Sequence, residues 1–179
     1  MPGNCLLVVC GAPLAARAHE VAADLVAHGW QVNVVITPSA ADWVDEPSLE
    51  AATGQPPRSA PHPSGSATDR DRPDLVVVAP VTFNTVAKMA CGIADTYAHG
   101  VLCESLGDRM PILAIPMVND RLWAHPAWAS NTALLTNAGV RWLSIHDGSV
   151  GPPQPVMSGT GGEVVRNFDP GWVSAHLPR

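Results

Sequence analysis

Positive charge is scarce in this chain. Ten lysines and arginines stand against sixteen acids, a formal charge of −6 over 179 residues. That deficit argues against a nucleic-acid surface or an anionic-membrane surface, both of which are held chiefly by clustered basic side chains. No apolar run approaches the ~20 residues of a membrane helix. The start of the chain lacks a basic segment followed by a long apolar core, so no secretory signal is expected. Cysteine is sparse as well. Cys5, Cys10, Cys91 and Cys103 form no CxxC pair, which points to packed, reduced thiols and a cytoplasmic setting. There is no HExxH and no Cys/His ligand set, so no metal is expected. The two common nucleotide fingerprints are missing too. No GxxxxGK[ST] occurs, and the first strand is followed by Gly11 alone instead of GxGxxG.

What is present is a repeating alternation. Apolar, β-branched runs at 6–10, 32–36, 75–79, 111–115 and 140–143 read as buried strands. Between them, 14–28, 83–94, 97–104 and 126–137 read as helices, the first closed by Gly29. Pro38 suits the first turn of a further short helix reaching about Val44. With 46% apolar residues the chain is long enough for one packed domain over 1–179. Strands alternating with helices imply an α/β, flavodoxin-like or Rossmann-like three-layer sandwich around a mostly parallel sheet. Residues 46–73 turn Pro- and Ser-rich and read as a long loop, with room for a short element over 47–53. Residues 144–179 carry five prolines and the run Ser158-Gly159-Thr160-Gly161-Gly162, and read as a flap and tail ending in a weak helix.

Ligands of such sheets bind outside the carboxyl ends of the strands. Four turns lie there: Gly11-Ala12-Pro13, Thr37-Pro38-Ser39, Pro80 to Thr85 and Pro116 to Trp123. Any one of them could simply cap a helix; four at one edge point to a ligand. Helix N-termini favour phosphate, and Ser39, Thr82 and Thr85 add hydroxyls. With the dinucleotide and P-loop fingerprints excluded, a mononucleotide such as FMN survives.

Pro80-Val81-Thr82-Phe83-Asn84-Thr85 is similar to the PASANT box of the homo-oligomeric flavin-containing cysteine decarboxylases. Ala87 to Asp95 resembles that box's usual continuation, and Pro116-Met117-Val118-Asn119-Asp120-Arg121-Leu122-Trp123 resembles the PxMNxxMW box. Thirty residues separate Thr85 from Pro116, and the resemblance covers about Leu6 to Leu143. Thr82, Phe83, Val118 and Leu122 depart from the family pattern. Phe83 should reshape the flavin or substrate wall, and Val118 removes a flexible thioether.

The family includes phosphopantothenoylcysteine decarboxylase and the peptidyl-cysteine decarboxylases of lantibiotic and linaridin maturation. The resemblance implies FMN at a subunit interface of a homotrimer or homododecamer. By position, Gly11, Ala12, Pro13, Ser39, Pro80, Thr82, Asn84 and Thr85 would hold FMN. Asn119 would hold the substrate carboxylate, with Val118, Trp123, Gly159 and Thr160 beside the substrate. A histidine in the loop before the third strand would be the base, and His62 is the one there. His125 stands in reserve. His19 and His28 read as surface or helix-end residues, Asp95 as structural, and the six tryptophans mostly as core or subunit contact.

The implied reaction oxidises a cysteine side chain at Cβ–S, loses CO2 and leaves an enethiolate. It needs a hydride acceptor beside Cβ, which a flavin supplies. It needs a base near neutrality, and imidazole titrates at ~6.5. A neutral amide such as Asn119 can position a carboxylate without the grip of an arginine clamp. In the pantothenate branch a cysteine of the C-terminal flap completes a later reduction. Here the flap, about 155–165, has no cysteine, and none follows Cys103. That favours a peptide ending in cysteine as substrate, giving an aminoenethiol for aminovinyl-cysteine formation in a ribosomal peptide natural product. The alternatives are a phosphopantothenoylcysteine decarboxylase of coenzyme A biosynthesis, acting on a small cysteine conjugate, and a flavin-binding subunit without turnover. A prenylated-flavin-type prenyltransferase shares the fold, but it would want a basic cluster that the sequence does not show.

Overall fold

The computed structural model describes residues 3–61 and 72–177. One sheet organises them: β1 Asn4–Val9, β2 Gln31–Ile36, β3 Leu75–Val81, β4 Ile112–Pro116 and β5 Val140–Trp142. Its order is β2-β1-β3-β4-β5, and every neighbouring pair is parallel. The expected α/β sandwich is therefore present. The order also sets the position of a site. The chain leaves β1 for β2 on one side and returns to place β3 on the other, which makes β1 and β3 the switch point of the sheet.

Period-two alternation feeds two cores. Cys5, Leu7 and Val9 of β1 pack with Leu14, Val21, Leu25 and Leu49 on one face. Leu6, Val8 and Cys10 pack with Val86, Leu102, Trp128 and Leu135 on the other. Strands buried on both faces need continuous apolar runs, and that is why β1, β3 and β4 read clearly from sequence. Burial pushes the Cys5 thiol to about 12 and the Cys10 thiol to about 11, while Cys91 is exposed.

The helices are α1 Ala18–Ala27, α2 Glu46–Thr53, α3 Phe83–Cys91, α4 Tyr97–Gly107, α5 Asp120–Trp123, α6 Ala127–Asn137, α7 Gly161–Asn167 and α8 Gly171–Ser174. Ala18, Val21, Ala22 and Leu25 make the buried stripe of α1 at helical spacing. Several boundaries differ from expectation. The helix expected over 14–28 begins as a 3-10 turn, Pro13–Arg17, because the Ala15 N–H bonds the Ala12 carbonyl at 2.8 Å in an i→i+3 pattern. The helix expected from Pro38 to Val44 is only the short 3-10 turn Pro38–Ala40. The short element expected over 47–53 is α2, which begins at Glu46. Asp45 caps that helix by accepting from the Ser48 N–H at 3.2 Å, Leu49 anchors it in the core, and Gly54 ends it at φ 80°. Helix α3 stops at Cys91 instead of Ala94, since Gly92 turns left-handed at φ 67°. The tail holds two short helices, α7 and α8, packed on the α1 face by Val164, Val165, Phe168 and Val173. Among the described residues no helix is long and apolar enough to cross a membrane.

Candidate active site

The carboxyl ends of the four adjacent strands are stitched into one edge. The Cys10 N–H donates to the Pro80 carbonyl at 3.2 Å, joining the turns after β1 and β3. The Thr37 N–H donates to Val9 at 3.0 Å, and the Met117 N–H to Val81 at 3.0 Å. The Leu14 N–H reaches the Met117 sulfur at 3.3 Å. Gly11 passes so close to the β2 turn that an added Cβ would lie 2.2 Å from the Ser39 carbonyl oxygen. Only glycine permits that approach, because the obstructing atoms are backbone.

At the end of β3 the Ala79–Pro80 peptide is cis, and Thr82 caps α3 by accepting from the Thr85 N–H at 3.4 Å. The leading amides of a helix have no intrahelical partner, so this turn offers N–H donors as well as hydroxyls. Ser39 Oγ lies 3.2 Å from Thr37 Oγ1, and Asn84 is exposed. Gly11, Ala12, Pro13, Ser39, Thr82 and Asn84 include no ionised group. Backbone amides beside a helix N-terminus suit a phosphorylated ligand, and no side chain in the set carries a negative charge. FMN fits this donor set. Thr85 is placed differently from its neighbours. It is 1% exposed, and its hydroxyl is engaged by Thr82, Cys10 and His99, so it reaches a ligand only through Thr82.

Asn119 sits at the end of β4, exposed, with Oδ1 accepting from the Leu122 N–H at 2.9 Å as the cap of α5. That bond fixes the amide, so its NH2 group is the end left for a ligand. The flap is bound to the same segment. Val156 N–H donates to the Val118 carbonyl at 2.9 Å, and Asp120 N–H to the Val156 carbonyl at 3.1 Å. Between them lies a cavity of about 320 Å³ lined by Pro13, Met117, Asn119, Val156, Met157, Ser158, Gly159 and Gly161. A larger apolar groove of about 630 Å³ runs along α6, β5 and residues 150–153 and includes none of the strand-end groups. Size alone would choose that groove, but the convergent polar groups belong to the smaller cavity.

One carboxylate latches the flap. Asp120 Oδ1 accepts from the Ser158 N–H at 2.9 Å and, over a shorter distance, from the Ser158 hydroxyl. The Ser158 hydroxyl, then its N–H, holds the Asp120 carboxyl below the usual carboxylate range. A depressed carboxylate stabilises the closed form above the ordinary range and loses that contribution as pH falls through its own lower value. At neutral pH the latch is therefore at full strength. Asp120→Ala should open residues 155–160 to limited proteolysis, with cleavage roughly threefold to tenfold faster than wild type. Equal cleavage rates would show that the latch does not hold the flap.

The structure brings Pro13, Asn119 and Gly159 to one cavity and places other residues elsewhere. Met117 and Asn119 face it, so Val118 between them points the opposite way and is 1% exposed in the other core. Met117 was the residue that strand alternation could have identified. Thr160 borders a neighbouring cavity of about 260 Å³. Trp123 packs at a tilt on Trp128, ring centroids 4.7 Å apart, and Trp128 in turn stacks on Phe83 at 5.7 Å. His125 meets the Phe83 ring edge-on at 5.4 Å, and its Nδ1 accepts from the Ala127 N–H. This aromatic group lies on the α3–α6 side, across the sheet edge from the flap cavity. His62 lies outside the described residues. His99, which sequence reasoning passed over, is 2% exposed and bonded to Thr85. Its signal was the helix start Thr96-x-x-His99, which places a side chain back on the cap. Among the described residues no group of three or more His, Cys, Asp or Glu is placed to hold a metal.

Known proteins resemble this arrangement. The coenzyme A biosynthesis bifunctional protein CoaBC of Thermococcus kodakarensis is 29% identical over 143 residues, 77% of this chain and 35% of that protein. CoaBC of Mycobacterium tuberculosis is 32% identical over 143 residues, 78% of this chain and 34% of that protein. The chain thus matches about a third of the length of these bifunctional relatives. A probable phosphopantothenoylcysteine decarboxylase of Streptococcus mutans is 28% identical over 147 residues, 79% of this chain and 82% of that protein. Of solved structures, the FMN-dependent cysteine decarboxylase SpaF has a TM-score of 0.71 and 25% identity, covering 98% of both chains. A PPC decarboxylase complexed with pantothenoylaminoethenethiol shares the fold at TM-score 0.67 and 20% identity, over 80% of this chain and 82% of that one. The family model for flavoproteins matches residues 2–162, the whole sheet with its strand-end turns and most of the flap, and the chain belongs to the flavoprotein family.

Proposed function

We propose that this flavoprotein binds FMN along the β1–β4 edge and oxidatively decarboxylates a C-terminal peptidyl cysteine, leaving an aminoenethiol. The observation that carries the reading is the Asn119 amide. Its oxygen is committed to the Leu122 N–H, and the residue lines a flap-covered cavity that also reaches Pro13 of the turn after β1. Such a group donates to a carboxylate without neutralising it, so CO2 can still leave. FMN, when bound, supplies the two-electron acceptor for the cysteine side chain. Gly11, Ala12, Ser39, Pro80, Thr82 and Asn84 hold the cofactor in this reading, with Thr85 behind Thr82. Met117 and Gly159 wall the substrate, Asp120 keeps the flap closed, and His62 acts as base. In this reading the chain works as a homotrimer or homododecamer, in which one subunit's Phe83, Trp123, His125 and Trp128 complete its neighbour's site.

The peptide reading is favoured over the pantothenate reading because no thiol lines the flap cavity among the described residues. Ser158 stands in the flap instead, tied to Asp120. The pantothenate reading draws its support from the Streptococcus mutans relative, which aligns over most of both chains. A visible spectrum of the purified protein, followed by two incubations, separates the readings. Loss of one CO2 plus two hydrogens from a peptide ending in cysteine supports the peptide reading. Loss of CO2 alone from phosphopantothenoylcysteine supports the other. A protein that holds flavin and converts neither substrate is a binding subunit.

A further inference from the structure

Beneath the turn that joins β3 to α3 a chain of polar groups runs into the protein and ends on a buried imidazole. His99 of α4 is 2% exposed. Its Nε2 lies 3.2 Å from Thr85 Oγ1, and its Nδ1 lies 2.7 Å from Thr96 Oγ1 and 3.1 Å from Asp95 Oδ1. Asp95 is itself held by Lys88, the chain's single lysine, at 2.7 and 2.9 Å. On the other side, Thr82 Oγ1 donates to Thr85 Oγ1 at 3.3 Å, and Cys10 Sγ lies 3.3 Å from the same oxygen.

The directions of these bonds follow from the acceptors. Nδ1 faces a carboxylate and a hydroxyl oxygen, so it carries the ring proton. Nε2 is then an acceptor and takes the Thr85 hydroxyl hydrogen. The Thr85 oxygen is left to accept from Thr82 and from the Cys10 thiol. Thr82 therefore sends its hydrogen inward, and it already accepts from the Thr85 N–H. What it turns outward is a lone pair.

We propose that His99 is a positioning residue which, anchored by Asp95, sets the polarity of the Thr82 hydroxyl, so that Thr82 receives a hydroxyl or N–H donor of the bound ligand. The inference rests on the reading above that the ligand at this edge is FMN. It gives Thr82 a different task from that of the phosphate-facing amides beside it. Thr82 is matched to the ribityl hydroxyls or ring N–H of a flavin, not to its acceptor-only phosphate. The groups facing His99 are Asp95 and Thr96 ahead of α4, Lys88 and Thr85 on α3 and, through Thr85, Cys10 at the end of β1. Burial first, then Lys88, lowers the imidazole's affinity for a proton, against the pull of Asp95, so the ring is neutral near pH 7. A second proton would make Nε2 a donor, reverse the Thr85 hydroxyl and release Thr82 from its orientation.

The test is FMN affinity of the flavin-stripped full chain, read by quenching of FMN fluorescence, beside the melting temperature. His99→Leu should weaken FMN binding by about tenfold. His99→Gln, whose amide oxygen can accept from Thr85, should stay within about threefold of wild type. Leu102→Ala, a buried truncation on the same helix, should lower the melting temperature and leave the affinity unchanged. Wild-type affinity should be level between about pH 7.5 and about pH 6.5 and fall at lower pH, because burial lowers the imidazole's pKa from its ordinary value, and that of His99→Gln should stay level. Wild-type affinity in His99→Leu, or an equal loss in Leu102→Ala, overturns the proposal. If His99→Leu does not fold, a His99→Gln profile as steep as wild type overturns it. A wild-type chain that binds no FMN at either pH overturns the FMN reading itself, and this inference with it.

Discussion

Asn119→Asp should slow turnover severely while leaving both the fold and the flavin in place. The substitution is nearly isosteric. A carboxylate oxygen at the Oδ1 position still accepts the Leu122 N–H, so the cap of α5 survives. What changes is the group turned toward the flap cavity, from an NH2 donor to a second negative oxygen. A cysteine substrate would then meet like charge at its carboxylate, which costs several kcal/mol. At ~1.4 kcal/mol per factor of ten, kcat/KM should fall by roughly two to three orders of magnitude. Asn119→Ala makes the useful comparison, since it removes donor and cap together and should also cost ~1 kcal/mol of stability. Steady-state kinetics, flavin absorbance and calorimetry on the two variants separate the roles. An aspartate variant that turns over at close to the wild-type rate would remove Asn119 from carboxylate recognition.

Gly11→Ala should damage the fold and the site together. The added carbon would stand 2.2 Å from the Ser39 carbonyl oxygen and 2.6 Å from its carbon. Overpacking usually costs ~1–3 kcal/mol because side chains give way. Here the obstruction is the backbone of the β2 turn, so the cost should reach at least ~3 kcal/mol. For a chain of this length that is a fall of roughly 6–12 °C in Tm. The clash also pushes apart the two turns that would cradle the ligand, so the variant should purify without flavin and fail to take it up. Calorimetry and the visible spectrum check both halves. A yellow Gly11→Ala protein with an unchanged Tm would show that the close approach matters neither to the fold nor to the site.

Much of the architecture was legible because its signals are local. A strand buried on both faces must be apolar throughout, and Val76-Val77-Val78 leaves little else to read. Thr82 and Asn119 each follow such a run at the point where a helix needs a cap, so their position at the sheet edge was implied by one-dimensional order. Helix α2 answers to the short element expected over 47–53, and its capping bond, Asp45 to Ser48, is as local as any.

The orientations of side chains are more instructive. Val118 was grouped with Asn119 by proximity, yet neighbours on an extended chain face opposite ways, and Met117 is the residue beside the cavity. Trp123 was grouped by motif, but α5 turns it onto Trp128. His99 drew no notice, since a histidine three residues into a helix is unremarkable until Thr85 is found against it.

The sequence by itself determined the class of fold, the strand-edge location and the neutral, hydroxyl-rich chemistry of the site. Those depend on residue type and on spacings of a few positions, which a linear chain carries in full. Only the tertiary structure decided which face Met117 turns to, that Asp120 closes on Ser158, and that Cys10, Thr85, His99 and Asp95 share one buried line. Those contacts join residues up to 75 positions apart, and a hydrogen bond depends on direction within a few ångströms, which no periodicity records.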